Sequence, residues 1–471
     1  MKEFPHSGQS DALHVPVVAG GALFCDFYEL TMAASYLELG LEGVATFDLF
    51  VRSMPPRRTF LVACGTEDAA DYLASFRYES SDIEYLASLG VFPDRFLRWL
   101  ESVRFTGDVW AIPEGEVFFA AEPVFRVTAP LPEAQIVETA LLSLVSFHTT
   151  VATKAARVQL ACAGRAFVDF SARRDHGPGA ALGAAKAAYV GGASATSNLE
   201  AARAFGIPPS GTMAHSYVMR LGDERVAFRA FGRMYRERAV LLIDTWDTLR
   251  GARIAAEVAR ELEDEGVRIA GVRLDSGDLV RLSAAVRGIL DEAGLERLKI
   301  FASGDLDEYR IAEVVASGAP VDAFGVGTRL GTSADSPALG AVYKLMEDEE
   351  GPRMKLSEGK ETLPGRKQVW RYERDGTLAY DVLGLADEDH PEGRALLQPL
   401  VVGGERVRPR PNLDEARERC SRALAALPER LRDLHAEGDL ADVRISEPLR
   451  ELRERCSRRL RDAPDPSRLS P

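Results

Sequence analysis

The segment Val272-Arg273-Leu274-Asp275-Ser276-Gly277-Asp278 sets one guanidinium and two carboxylates where an apolar run stops. An arginine holds a carboxylate or phosphate through two parallel hydrogen bonds, and adjacent aspartates can orient a ribose or the waters of a Mg²⁺ ion. The same Asp or Ser would also serve as the N-cap of a following helix, and the two roles are compatible. Ile243-Asp244-Thr245-Trp246-Asp247-Thr248 repeats the acidic theme, and Arg173-Arg174-Asp175-His176-Gly177 adds two adjacent cations. Those cations read equally well as surface charge or as an anion clamp. In Gly325-Val326-Gly327-Thr328-Arg329-Leu330-Gly331 the small residues let backbone N–H groups approach a phosphate, although glycines also simply make turns. The spacing misses G-x-G-x-x-G by one residue and no complete P-loop occurs, which disfavours ordinary dinucleotide-fold and Walker chemistry. His215, in Gly211-Thr212-Met213-Ala214-His215-Ser216, stands apart from the other histidines. With no H-E-x-x-H or paired-His spacing, nothing argues for a protein-held metal, and a structural role is the simpler reading. Core packing is likewise the simpler reading of Tyr28, at the start of an amphipathic stretch from Asp26 to Leu39.

The elements that must position these groups show a βα rhythm. Short apolar runs at Ala166–Phe170, Val240–Ile243, Val267–Leu274, Lys299–Ala302 and Ala323–Val326 each end in polar or glycine clusters, Ser303-Gly304-Asp305 among them. Such runs are buried parallel strands, and Arg250–Glu265 and Leu279–Ala293 alternate apolar and charged residues at helical spacing. Periodicity does not separate an open doubly wound sheet from a closed barrel, but in both architectures ligands bind at the carboxyl ends of strands, where the polar residues collect. Residues 1–125 mix strand-like pieces (Val44–Val51, Val117–Val127) with helical ones (Glu29–Leu39, Asp94–Glu101), as a separate N-terminal α/β domain would. The rhythm fills 126–345. A C-terminal extension, 346–471, holds exposed strands at Val369–Tyr372 and Thr377–Val382, helices over 413–435 and 446–462, and a Pro- and Ser-rich end, Ala463–Pro471, expected to fray.

The chain has 471 residues and 46% hydrophobic content, enough for a large core in two or three domains. No stretch near 20 apolar residues is evident, and Met1–Gly20 lacks the charged-then-apolar order of a signal peptide, so a cytoplasmic enzyme is expected. The five cysteines lie far apart and read as free thiols. A net charge of −14 argues against general nucleic-acid or anionic-membrane binding, yet leaves room for an anionic small substrate where arginines cluster.

Taken together, these segments resemble the nicotinate phosphoribosyltransferase family, a type II phosphoribosyltransferase group, over roughly residues 20 to 455. The ordered matches are CDFYELTMAASYLELG at 25–40, FDLFVRSMPPRRTFLVACG at 47–65, ATKAARV at 152–158, DFSARRDHG at 169–177, SGTMAHSYV at 210–218, LLIDTWDTLRG at 241–251, GVRLDSGDL at 271–279 and GVGTRLGTSADSPALGAVYKL at 325–345. The resemblance implies a TIM-like, irregular α/β barrel with an N-terminal α/β domain and a C-terminal extension. It implies that nicotinate and 5-phosphoribosyl 1-diphosphate become nicotinate mononucleotide and diphosphate, coupled to ATP hydrolysis and assisted by Mg²⁺. It further implies that Tyr28 stacks on the pyridine ring across a homodimer interface, that Thr212 and Arg273 contact nicotinate, and that ATP phosphorylates His215. Thr328, with Gly325 and Gly327, would hold the sugar 5-phosphate; Arg173, Arg174, Asp278 and Gly304 would lie at the substrates; Asp244, Asp275 or Asp278 would orient the donor's Mg²⁺. Cys25 stands where the family usually has Thr, and Ser146-Phe147-His148 replaces an Asn-Tyr-Gln-like run.

Three other functions frame the expectation. Nicotinamide or quinolinate phosphoribosyl transfer uses a related architecture, but a neutral amide has no need of Arg273 as a clamp and a dicarboxylate needs more cations. A barrel aldolase or isomerase would carry a Schiff-base lysine or a His/Glu pair at a strand end, and neither is apparent. A non-enzymatic phosphosugar-binding protein would have lost the ordered polar strand ends, which persist.

Overall fold

The computed structural model describes residues 21–357 and 360–462. Met1–Gly20, read as lacking signal-peptide order, and Ala463–Pro471, expected to fray, lie outside them. Contacts group the described residues into two compact units, one of residues 151–337 and one joining 21–150 to 338–462.

The first unit carries the βα rhythm. Its parallel strands are β1 (Ala166–Asp169), β2 (Ala195–Thr196), β3 (Val240–Leu242), β4 (Gly271–Leu274), β5 (Lys299–Ala302) and β6 (Ala323–Val326). Strands β3 and β6 are buried along their whole length, as expected of strands covered on both faces. The sheet order is β2-β1-β6-β5-β4-β3, a mixed α/β architecture with one six-stranded parallel sheet. The first strand therefore pairs with the last, Phe167 opposite Phe324, a neighbourhood that a barrel produces and an open doubly wound sheet does not. Between β2 and β3, which end the order, the chain runs through the helices Leu199–Phe205, His215–Leu221 and Glu224–Tyr235.

The helices between strands start where the sequence supplies caps. Asp247 accepts the Arg250 amide at 2.7 Å, Asp278 the Arg281 amide at 3.2 Å and Asp307 the Arg310 amide at 2.9 Å. Each removes one unpaired donor from a first turn. The helices thus opened, Thr248–Asp264, Leu279–Glu292 and Glu308–Ala316, bury an apolar stripe and leave their arginines and glutamates outward, except Glu308, which is buried.

The second unit is built on a seven-stranded sheet that draws on both ends of the chain. Val44–Val51 lies between Pro123–Pro130 and Ala341–Asp348, and Asp108–Ala111 pairs with Gln398–Val402. Order along the chain suggested three consecutive segments, 1–125, 126–345 and 346–471, whereas here the first and last share one sheet. Long-range strand pairing of this kind leaves no local periodic mark. Two smaller expectations are corrected. The strands around Val369 and Thr377 are not exposed: Val369 and Leu383 are fully buried, in a four-stranded sheet closed by Arg394–Ala395 and Val443–Ile445. The helix expected over 413–435 stops at Ala426 and resumes at Glu429, because Pro428 cannot continue it.

One stretch, Leu131–Ala161, is long and apolar enough by composition to cross a bilayer, which corrects the reading that no such run exists; most of it is buried. Its last turns, within the first unit, carry Lys154 and Arg157, both almost fully buried. Glu308 bonds both: it pairs closely with Lys154, and Arg157 Nε donates to it at 2.9 Å, while Lys154 also reaches Asp335 at 2.7 Å. Buried charges at this depth survive only when paired. Glu308→Gln is therefore expected to lower unfolding free energy by about 3 kcal/mol, since Asp335 still serves Lys154. Urea unfolding with an unchanged m-value and a lowered midpoint is the expected result; an unmoved midpoint would show the network to be dispensable.

Candidate active site

At the carboxyl ends of β3, β4 and β5 the polar residues bond to one another. After β3, Asp244 Oδ2 accepts the Asp275 amide at 2.8 Å and the Ser276 hydroxyl at 2.7 Å. After β5, the Ser303 hydroxyl donates to Asp275 Oδ1 at 2.5 Å, and its amide donates to the Leu274 carbonyl at 2.8 Å. Gly304 makes this possible: its φ is +95°, and a Cβ there would come within 1.9 Å of the Asp275 carbonyl oxygen. Only glycine combines that backbone with that approach.

Arg273, on β4, projects into this network. Its Nη1 makes a close hydrogen bond to the Thr212 hydroxyl and a longer one, 3.4 Å, to the Met213 carbonyl; Nη2 lies 3.4 Å from Asp275 Oδ1. The side chain is 14% exposed, and Nε is buried with no hydrogen-bond partner among the described residues. Burial draws the guanidinium below its ordinary pKa, Asp275 and Asp244 oppose this, and Arg173 adds repulsion in the burial direction. A desolvated cation with an unused donor is a group for which a bound anion is favourable.

His215 opens the helix His215–Leu221. Its Nδ1 is 3.2 Å from the Thr245 hydroxyl and its Nε2 is 3.7 Å from Asp275 Oδ2, so the imidazole spans the loops after β3 and β4. The ring is 39% exposed and so remains reachable from solvent.

At the other side of the sheet, the ends of β6 and β1 meet. A Cβ on Gly325 would strike the Phe170 ring at 2.5 Å, and one on Gly327 would lie 3.3 Å from the Phe170 carbonyl oxygen. Both glycines thus let the two strand ends close up, while Thr328 opens a short helix, Thr328–Gly331, with its side chain exposed. After β1, Arg173 and Arg174 are exposed, and neither guanidinium is engaged in an ion pair among the described residues.

The structure therefore brings together Thr212, His215, Asp244, Arg273, Asp275 and Gly304, and gathers Gly325, Gly327 and Thr328 beside the loop of Arg173 and Arg174. Asp278 is taken up as a helix cap. Tyr28 belongs to the second unit, on the helix Phe27–Leu39, where it is 45% exposed; desolvation, Glu138 and Glu29 all raise its phenol pKa. Sequence reasoning missed Thr245 and Ser303, whose hydroxyls fix His215 and Asp275. The available signal was a hydroxyl residue within one or two positions of each strand end.

A desolvated cation braced by half-buried carboxylates at the strand ends of a parallel α/β sheet is the arrangement of an anion-binding site. The chain belongs to the nicotinate phosphoribosyltransferase family: the model of that family's N-terminal domain matches residues 23–146 and the model of the family itself matches residues 165–347. A nicotinate phosphoribosyltransferase of Mycobacterium tuberculosis is 48% identical over 428 residues, covering 91% of this chain and 92% of its own. Human nicotinic acid phosphoribosyltransferase matches in structure with a TM-score of 0.79 at 28% identity, covering 91% of this chain and 99% of that one. A nicotinate-nucleotide pyrophosphorylase from Pyrococcus furiosus matches with a TM-score of 0.72 at 27% identity, over 86% of this chain and 95% of its own.

Proposed function

We propose that this chain joins nicotinate to 5-phosphoribosyl 1-diphosphate, releasing diphosphate and forming nicotinate mononucleotide, in NAD biosynthesis. The observation that carries the reading is Arg273: a buried guanidinium, braced by Thr212 and Asp275, with Nε unpaired. A pyridine carboxylate completes its hydrogen bonding and balances its charge. On the same reading the six-stranded sheet is the arc of an irregular barrel, with the donor lying along its strand ends.

In the reaction the ring nitrogen of nicotinate attacks C1 of the sugar as diphosphate departs, through an oxocarbenium-like transition state. Positioning and charge neutralisation supply the rate, and no covalent nucleophile on carbon is required. Arg273 and Thr212 hold the carboxylate, and Tyr28 stacks on the ring across the homodimer interface. Gly325, Gly327 and Thr328 seat the 5-phosphate. Arg173 and Arg174, unpaired and exposed, face anionic oxygens of the donor. Mg²⁺, bound on the donor's diphosphate, would supply charge neutralisation for the leaving group. Asp244 and Asp275 would orient its waters, a reading supported by Asp244 Oδ1, which has no hydrogen-bond partner among the described residues.

ATP coupling enters through His215. The imidazole is reachable and held at Nδ1 by the Thr245 hydroxyl, which leaves Nε2, 3.7 Å from Asp275 Oδ2, as the nitrogen to accept a phosphoryl group, and such a group adds close to two negative charges beside the guanidinium groups. Those charges tighten the loops around the donor until the phosphoryl bond is hydrolysed. A homodimer with shared sites belongs to the same reading. Phe24, Phe27, Tyr28 and Met32, exposed on and just before one helix of the second unit, support it, and a purely monomeric sedimentation profile at micromolar concentration would contradict it.

Incubation with nicotinate, 5-phosphoribosyl 1-diphosphate and Mg²⁺, with and without ATP, is expected to yield nicotinate mononucleotide by chromatography; absence of that product under both conditions rejects the assignment. Arg273→Ala is expected to raise KM for nicotinate about tenfold to hundredfold, the loss of a charge-assisted contact, and an unchanged KM would reduce Arg273 to a scaffold role. His215→Ala is expected to abolish ATP hydrolysis and ATP stimulation while weak ATP-independent synthesis survives in the folded variant. Full ATP stimulation of that variant would refute the phosphoryl-acceptor role.

A further inference from the structure

Asp175 has no part in the chemistry above, yet it stands between two loops that the chemistry uses. It follows Arg173 and Arg174 after β1. The Ser171 hydroxyl donates to its Oδ2 at 3.0 Å, and Ser171 is itself anchored, its amide donating to Asp169 Oδ1 at 2.8 Å. Asp169 is held in turn by the Thr196 hydroxyl at 2.8 Å, from the end of β2. The arginine loop is stiffened along its length, because the Arg174 amide donates to the Ser171 carbonyl at 2.7 Å and the Gly177 amide to the Asp175 carbonyl at 2.8 Å.

The other face of Asp175 meets the glycine loop. A Cβ built on Gly331 would lie 2.0 Å from Asp175 Oδ1 and 2.5 Å from Ser171 Cβ, so only glycine lets the turn that begins at Thr328 rest on this carboxylate. Oδ1 is buried there with no hydrogen-bond partner among the described residues. Burial raises the carboxyl to about 6, with the Ser171 hydrogen bond opposing and Asp169 adding to the rise. An unsatisfied buried oxygen costs stability and calls for an explanation in what the contact achieves.

We infer that Asp175, with Ser171 behind it and Gly331 before it, is a strut that fixes the loop of Arg173 and Arg174 against the loop of Gly327 and Thr328. It acts as a positioning residue for the phosphoribosyl diphosphate donor. The inference rests on the donor-binding role given to those two loops. Both loops hold anionic groups of one substrate, so their spacing sets how well that substrate is bound, and nicotinate, held at Arg273, is not touched by it.

The test uses the full chain carrying Asp175→Ala, Asp175→Asn and Gly331→Ala, with KM measured separately for the donor and for nicotinate, kcat, and Tm. Asp175→Ala is expected to raise the donor's KM about fivefold to tenfold, as for the loss of one organising hydrogen bond, with KM for nicotinate and kcat within about twofold. Asp175→Asn keeps an oxygen for the Ser171 hydroxyl and is expected to recover most of that loss, while Gly331→Ala reproduces it. Equal rises in both KM values, a fall in Tm with no change in the donor's KM, or no recovery in Asp175→Asn would overturn the inference. A wild-type chain without transferase activity would contradict the function proposed above instead. Calorimetric binding of inorganic pyrophosphate to wild type and Asp175→Asn against Asp175→Ala and Gly331→Ala then decides, weaker binding in the latter two supporting the strut and equal binding rejecting it.

Discussion

The site depends on keeping one cation, Arg273, out of water without neutralising it. Thr212 takes one end of the guanidinium and Asp275 the other, and neither contact reaches Nε. Desolvating a charge is costly, and the carboxylates of Asp275, at 3.4 Å, and Asp244 compensate only in part. The remainder is electrostatic demand for an anion. Around that demand the other strand ends are arranged: Asp244 holds the Asp275 backbone, Ser303 holds the Asp275 carboxylate, and Gly304 permits the close approach of their loops. Most of the hydrogen bonding is spent on holding Asp275 still, and Asp275 in turn aims Arg273 and faces His215.

This arrangement explains how a chain of net charge −14 can take two anionic substrates. The acidic residues are spread over both units, many in ion pairs on helix surfaces, where water and salt screen them. On the proposed function the cations that meet the substrates are local and either desolvated, as Arg273 is, or without an ion pair among the described residues, as Arg173 and Arg174 are. Within a few ångströms of a bound anion such groups outweigh distant screened charge.

Much of this was legible in the sequence, because strands buried on both faces read as short apolar runs and their polar ends mark where ligands collect. All five apolar runs became parallel strands, and the Asp244, Arg273 and Asp275 cluster lies where those runs stop. The two-residue strand Ala195–Thr196 was too short to leave a periodic signal. The pairing of Val44–Val51 with Ala341–Asp348 joins residues about 300 positions apart, and no local pattern encodes it. The strands at Val369–Tyr372 and Thr377–Val382 read as exposed because charged residues such as Arg371 and Asp381 stand in them; these two are buried by bonding to each other, and Arg371 also to Glu116, which hid the true face of that sheet. Asp278 shows the limit of motif reading: an acidic residue at a strand end was equally a cap, and the geometry makes it one.

The central claim is that a desolvated guanidinium selects a carboxylate on the pyridine ring. Comparing kcat/KM for nicotinate and nicotinamide, assayed with the same donor and Mg²⁺, tests it most directly, since the two bases differ chiefly in that charge. A preference for nicotinate of about tenfold or more is expected, reduced toward parity in Arg273→Ala. Equal use of the two bases by the wild-type chain, or a preference that survives removal of Arg273 undiminished, would contradict it.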